Sequence, residues 1–153
     1  MTDFDIAQAR SPGFFLRLAA LFYDLVLLFG VLVLAVTAVV IPYDLLMGGS
    51  FPYQEPGYRL GLRLYLVAVI VAFFTFFWVR GGQTLGMRAW RFRLVREDGA
   101  GLTPRDAFNR LLWATICLTP AGAGLIWVLL DPAGLALHDR LSHTRPVMLK
   151  KRS

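Results

Sequence analysis

Apolar positions along the chain gather into long runs, and the charges collect between them. The first run covers residues 14–41 and is interrupted only by Arg17 and Asp24; residues 25–41 carry no charge. At about 1.5 Å per residue such a run crosses the roughly 30 Å hydrocarbon layer with room for tilt. A secretory signal would have an apolar region of about 7–15 residues ahead of a small-residue cleavage site. This run is longer, contains an Asp, and is followed by no convincing cleavage site. The second run, 60–79, has Arg63 near its start and Tyr65 and Trp78 near its ends, positions that suit aromatic anchoring at the membrane boundary. Residues 42–59 between them form a turn-rich loop punctuated by Pro, Gly and aromatic residues.

The pattern then changes. Residues 80–110 hold seven arginines and three acids. Trp90, Phe92 and Leu94 alternate with Arg91 and Arg93, which predicts a strand, and Asp98-Gly99 is a turn signal at its end. A short cytoplasmic strand hairpin is therefore expected within 80–107. Thr103-Pro104-Arg105-Asp106 reads as a helix start, with Thr103 as N-cap and Asp106 three residues later. The helix runs into a third apolar stretch, 108–130, broken by Pro120, Gly122 and Gly124. Either one kinked helix crosses, or two short helices form a re-entrant hairpin. The tail, 131–153, is basic like 80–107, so the positive-inside tendency favours the hairpin, with both basic segments and both termini in the cytoplasm. The fold class expected is an all-α membrane protein: two transmembrane helices, a third Pro/Gly-broken membrane segment and the strand hairpin, in a single domain over 1–153.

Composition agrees. Hydrophobic residues make up 57% and charged residues 17%, below the roughly 25% charged of soluble domains. The net charge of +6 fits basic cytoplasmic segments, and no nucleic-acid-binding motif accompanies it. Cys117 is the single cysteine, so neither a disulfide framework nor a cysteine metal site is expected. His138 and His143 are five apart, a poor spacing for a shared metal on a helix. No phosphate loop, nucleophile elbow or zincin motif appears, and the chain is expected to be no enzyme and to need no cofactor or metal.

Arg17 and Asp24, seven apart, point to the same helix face. A carboxylate within an apolar run is costly and marks either an ion path or a polar clamp between helices; the residues alone leave both readings open. Asp131-Pro132 and His138-Asp139-Arg140, with Thr144, form a further polar cluster in the tail, where capping or hydrogen bonding is the plain reading.

In order and spacing these residues resemble the RDD family of bacterial membrane proteins. Arg17, Asp24 and Asp139 match its arginine and two aspartates; Gly82-Gln83-Thr84-Leu85-Gly86-Met87, Asp98-Gly99, Arg110, Asp131-Pro132 and Thr144 are similar to its other landmarks. The likeness covers about residues 12–149. It implies a multi-pass protein of the bacterial inner membrane and a transporter, for some members a sodium/proton antiporter. On that reading Asp24 would carry a proton or small cation, Arg17 would tune it, and Asp139 would serve at the cytoplasmic mouth. His138, Arg110, Asp131, Arg140 and Thr144 would support them, in a homo-oligomer. The competing expectation is a non-transporting scaffold or accessory subunit that binds a partner protein or anionic lipid.

Overall fold

The computed structural model describes residues 10–119 and 123–149, the side chains of Leu118 and Ala123 excepted. Helices α1 (Phe14–Met47) and α2 (Pro56–Gly81) are long and apolar enough to cross a membrane. Large apolar side chains project from them uncovered: Phe22, Phe29 and Leu34 are each 70% exposed. Apolar surface on that scale needs lipid rather than water as its solvent. α1 continues through Pro42 to Met47, and α2 begins at Pro56 rather than at residue 60, so the connecting loop is shorter than the pattern suggested. Proline is well placed at the start of α2, where its missing N–H would have had no partner in the helix.

The chain divides into two compact units. One comprises Leu25–Phe73, the larger parts of α1 and α2 and their connection. Here Tyr43, Phe51 and Tyr58 pack edge-to-face, with centroids 5.1–5.8 Å apart. The other unit contains the chain up to Asp24 and from Phe74 onward. It holds α3 (Leu85–Ala89), β1 (Phe92–Arg96), α4 (Pro104–Leu118), α5 (Ala123–Ile126), a 3-10 turn (Trp127–Leu129), α6 (Leu137–Leu141) and β2 (Thr144–Met148).

β1 is a strand, as its alternation predicts, with Phe92 and Leu94 buried. It does not form a local hairpin. Its partner is β2, in the segment read from sequence as a basic tail, paired antiparallel from Phe92–Met148 to Arg96–Thr144. Pro146 opposes Leu94, and its missing N–H is tolerated because the Leu94 N–H donates outside the ladder, to the Gly82 carbonyl at 2.6 Å. Gly82 has φ +66, and a Cβ there would lie 2.6 Å from the Leu94 oxygen, so this turn requires glycine.

α4 starts as its sequence dictates. The Thr103 hydroxyl accepts from the Asp106 N–H, and the Asp106 carboxylate accepts from the Thr103 N–H at 2.9 Å, which closes a capping box. At 15 residues α4 is about 22 Å long, short of a full crossing. α5 packs back on it: a Cβ on Gly124 would collide with the side chain of Cys117 and come within 2.9 Å of its carbonyl oxygen. The intervening break, residues 120–122, lies outside the described residues. Trp78, Leu94, Leu102 and Ala107 form one apolar core of this unit, and Leu125, Val128 and Ala136, against Phe14, another.

Candidate functional site

Asp139 stands at the third position of α6, where its carboxylate Oδ2 accepts the Ala136 N–H at 2.9 Å. The same oxygen accepts from Arg17 Nη1 at 2.5 Å, and Oδ1 lies 2.6 Å from Arg110 Nη2. Arg17 reaches this point from the first turn of α1. Its other donors go to the Pro12 carbonyl (2.9 Å) and the Gly134 carbonyl (2.7 Å). Gly134 has φ +63, a left-handed turn that glycine adopts readily. Arg110 comes from the inner face of α4, stacks over the Trp78 ring with 5.5 Å to its centroid, and donates to Thr144 Oγ1. Ser142 Oγ commits its one proton to the His138 carbonyl at 2.6 Å, so the 2.8 Å bond between the two hydroxyls is donated by Thr144.

The side chains of this cluster are buried, Asp139 completely. Burial pushes the Asp139 carboxyl up, but Arg110 and Arg17 outweigh it and hold the group well below the usual carboxylate range. His138 Nε2 lies 3.5 Å from Asp139 Oδ1. Burial, reinforced by Arg110, pushes this imidazole down to about 4 despite the neighbouring carboxylate. With His138 neutral, the cluster combines two guanidiniums and one carboxylate, a net charge of +1.

Asp24 belongs to a different arrangement. Its Oδ2 accepts from the Thr84 hydroxyl at 2.5 Å and its Oδ1 from the Gly86 N–H at 2.8 Å. Thr84 is the N-cap of α3 and also accepts from the Met87 N–H at 3.2 Å. Gly86 lets the two segments meet: a Cβ there would collide with the Ala20 carbonyl oxygen and lie 2.9 Å from the Asp24 carboxylate. Asp24 therefore sits level with the chain just past the end of α2, although the apolar run around it reads as continuous.

Arg17 and Asp24 share a helix face, as their spacing predicts, yet neither pairs with the other; each is met by a different distant segment. Arg110, His138 and Thr144 join Arg17 and Asp139. Asp131 and Arg140 form a separate ion pair, with Arg140 Nε donating to Asp131 Oδ1 at 2.9 Å and Asp131 also accepting the Leu135 N–H at 2.8 Å. His143 is exposed, its Nδ1 3.4 Å from Glu97, away from His138. Ser142, Trp78 and the Gly134 carbonyl were missed as members of the site. Thr84 and Gly86 lie in a segment the family likeness had marked, but nothing local to them points to Asp24.

The elements and the site define a class: a mainly helical membrane protein whose charged residues converge in a buried Arg–Asp–Arg cluster. The chain belongs to the RDD family, whose sequence model matches residues 11–143. No curated protein and no solved structure matches it.

Proposed function

We propose that this chain works as a non-transporting scaffold or accessory subunit of the bacterial inner membrane, and that its family charges fasten the fold. The observation that carries this reading is the occupation of both family carboxylates. Asp139 is enclosed by two guanidiniums and a backbone amide, so giving it to a cargo ion would leave two buried cations without their anion. Each oxygen of Asp24 holds a donor that anchors the start of α3. A carrier carboxylate must release and rebind its cargo; either of these would have to unfasten the fold to do so.

The β1–β2 ladder supports the same-side placement of the two basic segments, since strands that hydrogen-bond to each other cannot lie across a bilayer. The α4–α5 hairpin on this reading enters from that side and returns to it, with the exposed stripe Phe108, Leu112 and Ile116 facing lipid. The test is ion-driven proton flux in proteoliposomes with the natural protein and Asp24→Asn at matched incorporation. The expected result is no flux above protein-free vesicles under Na⁺, K⁺ or Li⁺ gradients. Cation-dependent flux in the natural protein that disappears in a folded Asp24→Asn would overturn the reading in favour of antiport.

A further inference from the structure

Just beyond α2 a short segment exposes basic and aromatic side chains. α2 ends at Gly81 with Arg80 exposed in its last turn, and α3 begins at Leu85, so residues 85–91 lie within a few residues of a membrane helix end. Leu85 and Trp90 are 39% and 44% exposed. Arg88 and Arg91 are exposed as well, and neither guanidinium has a partner among the described residues.

This segment is rigid. Asp24 holds Thr84 and Gly86, Gln83 Nε2 donates to the Phe92 carbonyl at 2.8 Å, and the Arg91 carbonyl accepts the Leu149 N–H at 2.8 Å. Arg91 itself has φ 58, a left-handed conformation that persists in a non-glycine residue only where surrounding bonds impose it. That turn leads the chain out of α3 and into β1, leaving on either side of an exposed tryptophan two arginines that are unpaired among the described residues.

We propose that Leu85, Arg88, Trp90 and Arg91 bind the headgroup of an anionic phospholipid, the guanidiniums on the phosphate oxygens and Leu85 and Trp90 at the acyl boundary. This names a partner for the scaffold reading and rests on it for the placement of α2 in the membrane. The planar fork of arginine suits phosphate oxygens, and tryptophan prefers the headgroup level of a bilayer. A specific protein partner would need roughly 20–30 residues on each side, and four residues beside a membrane helix fit a headgroup better.

Native mass spectrometry of the full chain, released from mild detergent with equimolar phosphatidylglycerol and phosphatidylcholine, tests this. The natural protein should retain phosphatidylglycerol preferentially. Arg88→Gln/Arg91→Gln should weaken that lipid about 25-fold, about fivefold per arginine, and leave phosphatidylcholine and the thermal unfolding temperature unchanged. Arg88→Lys/Arg91→Lys should keep most of the preference, and Trp90→Ala should weaken both lipids alike. Equal retention of the two lipids by the natural protein, an unchanged preference in the double Gln variant, or displacement of the lipid by millimolar inorganic phosphate would each overturn the proposal. Absent preference together with absent proton flux would remove the lipid site and leave the scaffold reading standing.

Discussion

Asp139 and Asp24 are almost equally hidden, at 0% and 2% exposure, but they are held by opposite means. Asp139 is balanced by charge: two arginines approach it from α1 and α4, and together they exceed it by one unit. Among the described residues Asp24 is met only by neutral groups, a hydroxyl and a backbone amide at the start of α3. A buried ion pair contributes little beyond what an apolar replacement would give, yet losing one partner is expensive because the other charge stays behind. A carboxylate held by neutral donors leaves no such residue of charge when it is neutralised. The two aspartates should therefore respond very differently to the same substitution.

The largest contrast is expected from Asp139→Asn. It leaves Arg17 and Arg110 facing each other without an anion, and should cost about 3–5 kcal/mol in denaturant or thermal unfolding. Arg17→Gln should cost clearly less, since Asp139 keeps Arg110 and the cluster becomes neutral. Equal losses would mean that the arginines, rather than the aspartate, dominate the cluster.

Acid should weaken the Asp139 cluster next. His138 has a folded value of about 4 against an ordinary value of 6.5, so the unfolded chain binds its proton first. Stability attributable to His138 is then full above about pH 6.5 and declines as the pH falls toward 4, by roughly 2–3 kcal/mol at pH 4.5. The Asp139 contribution has the same sign but begins only below its ordinary value of 3.8. Unfolding measured at pH 7 and pH 4.5 should show this loss in the natural protein and not in His138→Gln.

At the Asp24 site the backbone approach should matter more than the charge. Gly86→Ala places a methyl against the Ala20 carbonyl and should destabilise by about 1–3 kcal/mol. Asp24→Asn keeps the shape and one acceptor, and should cost only about 1 kcal/mol, the smallest of these effects. A loss for Asp24→Asn as large as that for Asp139→Asn would erase the distinction between the two sites.

What sequence could reveal follows the distance over which each feature is determined. The Thr103–Asp106 cap is complete within four residues and was legible to the atom. β1 was legible from its alternation, but its partner was not, because β2 lies at the far end of the chain and carries a proline in a short basic segment. Helical periodicity put Arg17 and Asp24 on one face correctly. It had no access to their partners, 122 and 60 residues away. The Pro/Gly break expected in the third apolar stretch falls on residues 120–122, outside the described residues, while past it Gly124 packs closely against Cys117 of α4. Family likeness, rather than local chemistry, gave Asp139 its weight; nothing in a His-Asp-Arg tripeptide indicates that its middle residue is completely buried.

Whether Asp139 balances the buried arginines can be read from a double-mutant cycle between Arg17→Met and Asp139→Asn, followed by thermal unfolding. If Asp139 matters as the counter-ion, removing one arginine restores the original net charge of +1, and the double variant should be more stable than Asp139→Asn alone. A double variant that loses the full sum of the two single losses would contradict the account, because Arg17 and Asp139 would then be acting independently.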